Sequence, residues 1–186
     1  VIDVYGFDAN YSMPVASAVY SNGSEYVGME NGKYVYKFDD PKTVEALEWI
    51  NACLVDYALE RPSDAQWDYY KEAFMIGECA FMVEDAYCGI EYGWLTNMVD
   101  EIGFVMFPKG PAADDYTNLW NNNPVAIPAC YDAERAWKLA FVYDLYTGDV
   151  PKYENYVDTN PYRNGVFDMR AIDETLYMMM EKGMIT

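Results

Sequence analysis

A hairpin signal followed directly by a helix signal constrains the fold of this chain more than any other feature of its sequence. Residues 25–38 are typical of a β-hairpin, with the turn Glu30-Asn31-Gly32-Lys33 followed by aromatic residues at positions 34, 36 and 38 that alternate with Val35 and Lys37. Asp39-Asp40-Pro41 then predicts a helix start, since aspartate caps free amide groups and proline suits the first helical position. Val44, Leu47, Ile50 and Leu54 recur at helical spacing. Both kinds of secondary structure are therefore predicted within one short stretch.

Further strand and helix signals follow one another irregularly along the chain. Strands are predicted at residues 1–8, Cys79–Val83, Ile102–Phe107 and Val125–Pro128. Helices are predicted from the caps Ser63-Asp64 and Asp132, over residues 86–99 and from Asp168 to Lys182, whereas residues 9–24 have mixed polarity. Because strands and helices mix without strict alternation, we predict an α/β or α+β lobe with helices flanking a mixed sheet.

Two of these elements carry specific expectations about packing. The unbroken apolar run of Ile102–Phe107 predicts a buried central strand. In the helix after Asp132, we expect Ala136, Ala140 and Phe141 to face the core.

Composition excludes several classes of function. The chain has 186 residues, enough for one domain of ordinary size with a sizeable core. Its net charge of −19 repels phosphate backbones and anionic lipid heads, so nucleic acid is a poor partner. Histidine is absent, which removes Ser-His-Asp and Cys-His catalysis and zinc sites that contain histidine. We therefore predict that the chain does no chemistry, with no cofactor and no metal site.

The cysteines give a weaker signal. Cys53, Cys79, Cys88 and Cys130 show no C-x-x-C spacing. Cys53 fits an apolar helix face and Cys79 opens an apolar strand, which favours buried free thiols over disulfides. The even number of cysteines keeps disulfides open as an alternative.

Three consecutive sequence blocks resemble one known family. They are Phe74–Met82, Ile102–Pro111, and Val125–Ala129 with the following Glu134–Trp137. They are similar to the F-x-x-G-x-x-A-M block, the V-G-x-x-P-x-P-K-G-P strand and turn, and the a-I-p-A and E-x-A-W stretch of the family 1 extracellular solute-binding proteins (the maltose-binding-protein-like family). Residues 30–34 and 41–47 agree in order, so the resemblance extends over roughly residues 1–147.

The resemblance implies a periplasmic-binding-protein-like fold of two lobes that close on a carbohydrate. Residues 1–128 would then form most of the C-terminal lobe, and residues 129–186 a helical segment that packs on the other lobe or back on this one. The family's N-terminal lobe has no counterpart in this sequence. The implied protein is a bacterial monomer, either an extracellular lipoprotein or periplasmic, whose precursor begins with a signal peptide. Its implied partners are a mono- or oligosaccharide and the membrane permease of an ABC transporter.

The candidate ligand residues combine aromatic rings with hydrogen-bonding groups. The C–H face of a sugar stacks on aromatic rings, while its hydroxyls need planar donors and acceptors. Tyr87 stands where the resembling family motif has a sugar-stacking tryptophan. Trp120 lies in an Asn-rich loop with Asn122, and Glu84 and Asp85 offer hydroxyl acceptors. The remaining candidates are Trp94 and Tyr11, whereas Trp49, Trp67 and Trp137 lie in predicted helices and are interpreted as structural.

Other functions stay open at this point. Glu84 and Asp85 are paired carboxylates of the kind that glycosidases use, but adjacent residues at a strand end point to opposite faces. A stand-alone carbohydrate-binding module would be a β-sandwich, which the predicted helices oppose. A binding protein for a peptide or polyamine is the nearest alternative, and the strong acidity would suit a cation.

Overall fold

Two parallel strands from distant parts of the sequence form the pairing on which the candidate site is built. The computed structural model describes residues 5–9, 12–120, 125–148, 151 and 161–185. Strand β1 (Tyr5–Ala9) pairs with a later strand, Cys79–Val83, with Tyr5 opposite Cys79 and Ala9 opposite Val83. The predicted strand at Cys79–Val83 is thereby confirmed. A bridge between Phe7 and Ala58 extends this pairing to a third segment.

The predicted hairpin and the helix after it are confirmed. Strands β2 (Val27–Glu30) and β3 (Lys33–Tyr36) are antiparallel. Asn31 and Gly32 have φ of 51° and 74°, which is the left-handed pair that a two-residue hairpin turn needs. Helix α2 (Pro41–Asp56) begins at Asp40, whose side chain accepts a hydrogen bond of 2.9 Å from the amide of Lys42.

The buried face of α2 includes the predicted Ile50, with Leu47 and Leu54 packed beside it, and departs from the prediction at Val44. Thr43 and Ala46 are buried beside Ile50, whereas Val44 is 39% exposed. The sequence pattern did not mark Thr43 because it is polar. Its hydroxyl donates to the Lys37 carbonyl at 2.8 Å and is 2.6 Å from the hydroxyl of Ser24, so its polar atoms are satisfied inside the fold.

A helix that the sequence did not predict packs against α2. Helix α1 (Ser12–Ser21) lies within residues 9–24, whose mixed polarity gave no clear signal. Ala18 and Val19 are buried against Ala46 and Ile50. This helix is therefore stabilised by tertiary packing more than by its own periodicity.

The segment after α2 departs from two helix predictions. Helix α3 (Tyr69–Met75) begins later than the predicted cap at Ser63-Asp64 and ends before Gly77, which has φ of 78°. Strand β4 (Cys79–Val83) follows. Residues 86–99 form two 3₁₀ turns, Ala86–Gly89 and Trp94–Asn97, instead of one helix. They are separated at Gly93, where a Cβ atom would lie 2.1 Å from the carbonyl oxygen of Cys88, so only glycine fits.

The predicted central strand at Ile102–Phe107 is wrong, and so is the predicted strand at Val125–Pro128. Both segments lack sheet hydrogen bonds, and Val105 is 75% exposed. The apolar side chains of Ile102–Phe107 instead pack into two separate cores. Phe104 stacks on Phe167 with ring centroids 4.3 Å apart, while Phe107 packs edge-on against Trp49 at 6.1 Å. An extended connection between two cores has the same apolar composition as a buried strand.

The last part of the described chain folds onto the 3₁₀ turns. A π-helical turn (Ala171–Leu176) continues into α5 (Tyr177–Glu181), and the amide of Ala171 donates to Asp168 at 2.6 Å, as the predicted helix start requires. Strand β5 (Asn118–Trp120) pairs in parallel with β6 (Gly183–Ile185). The largest core joins side chains from these regions: Cys88, Leu95, Phe167, Ile172 and Leu176.

Helix α4 (Ala133–Thr147) is the most exposed element of the described chain. Its predicted cap is confirmed, since Asp132 accepts from the amide of Arg135 at 2.8 Å. None of its residues is buried, and the prediction that Ala140 and Phe141 face a core is wrong. Phe141 instead stacks on Trp137 at the helix surface, with ring centroids 5.3 Å apart.

These elements confirm a mixed fold of helices and strands, but they correct its layout. The described residues form three separate two-stranded sheets instead of one mixed sheet. Within the same residues, no helix has the length and apolar character needed to cross a bilayer. Cys53, Cys79, Cys88 and Cys130 are all free thiols, so the preference for thiols over disulfides is confirmed.

The core around Ile172 makes a first prediction. Ile172 is fully buried, so replacing it by alanine leaves a cavity and should lower the free energy of unfolding by about 2–5 kcal/mol. Leu145→Ala is the control, because Leu145 is 65% exposed on α4 and should change that energy by about 0.5 kcal/mol or less. Urea denaturation measures both. Equal effects of the two substitutions would contradict the described core.

The thiols make a second prediction. Burial raises the pKa of Cys79 and of Cys88 to about 12, whereas Cys130 is exposed. Only a thiolate reacts with iodoacetamide, so the folded chain at pH 8 should be alkylated first at Cys130. Mass spectrometry of timed samples identifies the modified residues. Early labelling of Cys79 or Cys88 in the folded chain would show that the described burial is wrong.

Candidate functional site

Polar side chains gather at the carboxyl ends of β1 and β4. Asp8 lies near the end of β1, and Glu84 directly follows β4. Because these strands are parallel, both residues lie at the same edge of the pair. In open sheets of parallel strands, this is the edge at which ligands bind.

Glu84 is held in place by a buried tyrosine. The Tyr70 hydroxyl, from α3, donates to one Glu84 carboxylate oxygen at 2.5 Å, and the amide of Asp85 donates to the other at 2.9 Å. Tyr70 is only 2% exposed. Burial, and then the Glu84 carboxylate, raise the pKa of Tyr70, so its hydroxyl stays a donor at neutral pH. Each carboxylate oxygen has two lone pairs, so Glu84 retains capacity for further donors.

Three aromatic rings lie around the ammonium of Lys71, the residue that follows Tyr70. The Lys71 Nζ atom lies 5.0 Å from the ring centre of Trp67, 5.7 Å from that of Tyr70 and 5.8 Å from that of Trp94. These distances lie within the range of cation–π attraction. Trp67 is 67% exposed, so its interpretation as a structural core residue is wrong. The Trp94 indole nitrogen is buried and has no hydrogen-bond partner among the described residues.

Tyr87 lies beside the Glu84 carboxylate. Partial burial raises the pKa of its hydroxyl, and the charges of Glu84 and Asp85 raise that pKa further. The ring is nevertheless 48% exposed, which leaves a face for a ligand. Of the candidates from the sequence, Tyr87, Glu84, Asp85 and Trp94 thus lie in one neighbourhood.

Arg61 connects this neighbourhood to Asp8. Its guanidinium donates to Asp8 Oδ1 at 3.1 Å, to the Ala9 carbonyl at 2.7 Å and to the Trp67 carbonyl at 3.2 Å. It also lies 5.7 Å from the ring centre of Tyr70. Arg61 therefore ties the end of β1 to the segment that leads into α3.

The structure does not bring the remaining candidate ligand residues into the Glu84 neighbourhood. Trp120 belongs to β5, where its indole lies over Gly183, so close that a Cβ atom there would be 1.5 Å from the indole nitrogen. Pairing with β6 explains this tryptophan, which the sequence suggested to be in a loop. From the sequence we also expect Trp120 and Tyr87 to lie on one side of the same concave face, and this stays a prediction. Tyr11 and Asn122 lie outside the described residues.

Sequence reasoning missed four residues of the site: Arg61, Tyr70, Lys71 and Trp67. An arginine and a lysine near aromatic residues are common on any surface, so their types gave no signal. Spacing offered one hint, because Trp67, Tyr70 and Lys71 fall within one helical turn of each other. The contact of Tyr70 with Glu84 depends on how α3 packs against β4.

No protein-family model matches the chain, and no curated protein matches it significantly. In the described part of the chain, no three cysteine or carboxylate side chains cluster in a way that could hold a metal ion. Function is therefore inferred from the chemistry of the site itself.

The contact between Tyr70 and Glu84 predicts a pH dependence. The pKa of Tyr70 is higher in the folded chain than in the unfolded chain, where it is about 10. Its contribution to stability is therefore complete below pH 10 and is lost as the pH rises above that value, since the folded chain then binds more protons than the unfolded one. Between pH 9 and 11, the melting temperature of Tyr70→Phe should therefore fall less than that of the parent chain.

Glu84→Gln is the companion variant for this measurement. It removes the charge but keeps an acceptor for the Tyr70 hydroxyl. Its melting temperature should therefore fall less between pH 9 and 11 than that of the parent chain, but more than that of Tyr70→Phe. An identical decrease in melting temperature between pH 9 and 11 in the parent chain and both variants would contradict the described contact.

Proposed function

We propose that the chain binds a carbohydrate at the Glu84 site and does no chemistry on it. The observation that carries this proposal is the combination of an oriented carboxylate with exposed aromatic rings. Glu84 is fixed by the buried Tyr70 hydroxyl, and the half-exposed ring of Tyr87 and the exposed ring of Trp67 lie in the same neighbourhood.

Each part of the site fits a different part of a sugar. The exposed aromatic faces suit the apolar C–H face of a pyranose ring, and the Glu84 carboxylate accepts hydrogen bonds from its hydroxyls. The Lys71 ammonium donates to ring or hydroxyl oxygens. Because Tyr70 and the Asp85 amide already hold the carboxylate in place, binding costs little ordering of this side chain.

Two further observations support uptake as the wider role. Tyr87, Glu84 and Asp85 follow the block that resembles the family 1 extracellular solute-binding proteins, and Tyr87 stands where that block is followed by a stacking tryptophan. Helix α4 exposes large apolar side chains, as expected of a segment that packs on a second lobe. We infer delivery of the sugar to the membrane permease of an ABC transporter, by a bacterial lipoprotein or periplasmic protein.

A polyamine is the alternative that the net charge of −19 favours. The aromatic rings that would attract an ammonium ligand already surround the Lys71 ammonium. A second cation there would be repelled by the first, so the site suits a neutral ligand better.

A ligand screen tests the class of ligand. The folded chain is melted with glucose, galactose, mannose, xylose, maltose or cellobiose, and separately with putrescine or a tripeptide. A ligand that binds only the folded chain raises its melting temperature by mass action. We expect one or more sugars to do so, and neither putrescine nor the tripeptide. Stabilisation by putrescine or the tripeptide alone would refute the proposal.

Tyr87→Ala tests the site. Aromatic stacking contributes about 0.5–1.5 kcal/mol beyond area burial, so the variant should bind the sugar about tenfold more weakly in calorimetry. Its melting temperature without sugar should change little, because the ring is already half exposed. Tyr34→Ala is the matched control, since Tyr34 is 81% exposed on β3 and should leave the affinity unchanged. Unaltered affinity of Tyr87→Ala would exclude this site.

A further inference from the structure

Asparagine is followed by glycine at three places in the chain: Asn22-Gly23, Asn31-Gly32 and Asn164-Gly165. Asparagine is a thermolabile residue, and it is most labile before glycine, which has no Cβ atom to hinder attack by its main-chain nitrogen on the side chain before it. Because the three pairs share this local chemistry, a difference in their reactivity in the folded chain comes from the structure around them.

The reaction is deamidation, and it needs no enzyme. The glycine amide nitrogen attacks the side-chain carbonyl carbon of the asparagine, and the new carbon–nitrogen bond closes a succinimide ring. The bond from that carbon to the side-chain nitrogen breaks, and this nitrogen leaves as ammonia with the proton of the glycine amide. Water then opens the ring at either carbonyl carbon, which gives aspartate or isoaspartate. Nothing is oxidised or reduced.

Asn22 is held in a way that prevents this attack. It is 2% exposed, and its side-chain nitrogen donates to two acceptors on α2, at 2.8 and 2.9 Å. Its side-chain oxygen accepts from the amide of Ala112 at 3.1 Å, and the amide of Gly23 donates to the Tyr20 carbonyl at 3.0 Å. Succinimide formation at Asn22 therefore requires several hydrogen bonds within a packed contact to break first.

Asn164 is exposed, but the glycine after it is fixed. The amide of Gly165 donates to the Tyr162 carbonyl at 3.1 Å, and a Cβ atom on Gly165 would lie 1.9 Å from the carbonyl oxygen of Gly89. The next amide, that of Val166, donates to the same Gly89 carbonyl at 2.9 Å. The main chain at Gly165 cannot turn toward the asparagine side chain without losing these contacts.

Asn31 and Gly32 are the two central residues of the β2–β3 turn, and both are exposed. Within the described part of the chain, neither the Asn31 side chain nor the Gly32 amide has a hydrogen-bond partner. No described atom beyond its chain neighbours would lie within 4 Å of a Cβ atom on Gly32. A two-stranded hairpin is marginally stable by itself, so its tip opens more readily than the packed contacts around the other two pairs.

We propose that Asn31 is a site of spontaneous deamidation and that the isoaspartate formed there opens the β2–β3 turn. Isoaspartate adds one carbon to the main chain, so the two-residue turn no longer joins Glu30 to Lys33 in register. Both products also add a negative charge beside Glu30, in a chain whose net charge is already −19. The proposal is independent of the Glu84 site.

Mass spectrometry of timed samples in mildly alkaline buffer measures deamidation at each asparagine. In the folded chain, we expect Asn31 to react at least about tenfold faster than Asn22 or Asn164, because fewer hydrogen bonds must break first. In concentrated urea, which removes the fold, the three pairs should react at similar rates. Equal rates in the folded chain, no reaction at Asn31 there, or the same preference in urea would overturn the proposed site.

Asn31→Gly is the matched control for the effect on the turn, because Gly-Gly also forms a two-residue hairpin turn and has no side-chain amide. The isoaspartate form of the parent chain is separated by chromatography after ageing. It should lose the nuclear Overhauser contacts between Met29 and Tyr34, which lie opposite each other across the hairpin, whereas equally aged Asn31→Gly should keep them. Contacts that persist in the isoaspartate form, or that disappear in aged Asn31→Gly, would overturn the proposed opening of the turn.

Discussion

The parallel pairing of β1 with β4 is the constraint on which the rest of the site depends. It joins residues near the start of the chain to residues beyond position 78, and it brings Asp8 and Glu84 to one edge. Neither strand is long, so the pairing needs support from its surroundings. That support comes from a small buried cluster of Leu59, Ala73 and Cys79, which packs the segment before α3, and α3 itself, against β4.

The buried Asp8–Arg61 pair holds the end of β1 against the segment that leads into α3. A buried ion pair contributes little net stability, but removing one partner typically costs about 3–5 kcal/mol because a charge is left buried alone. Arg61 also binds two backbone carbonyls, those of Ala9 and Trp67. The pair therefore links the end of β1 to the backbone at Trp67.

Local signals predicted the parts of the fold that local chemistry determines. The Asn31-Gly32 turn and the Asp40 and Asp132 caps are set by a few neighbouring residues, and all three were predicted. Ile102–Phe107 was misjudged because its apolar side chains serve two cores, which only tertiary packing reveals. In the site, Tyr87 was predicted from a motif, and Glu84 from its carboxylate and its place just before Tyr87. Tyr70 and Lys71 were missed because their roles arise from the docking of α3 on β4, and Arg61 was missed because its role arises from contacts with the end of β1.

The most direct test of the carbohydrate site is a crystal structure of the chain grown with a saturating concentration of the sugar that raises its melting temperature most. We expect a sugar ring over the face of Tyr87 or Trp67, with a hydroxyl about 2.7 Å from the Glu84 carboxylate and the Tyr70 hydroxyl still bound to the same group. The sugar should lie at the edge formed by the carboxyl ends of β1 and β4. That sugar bound only elsewhere, for example along α4, would contradict the assignment of this edge as the ligand site.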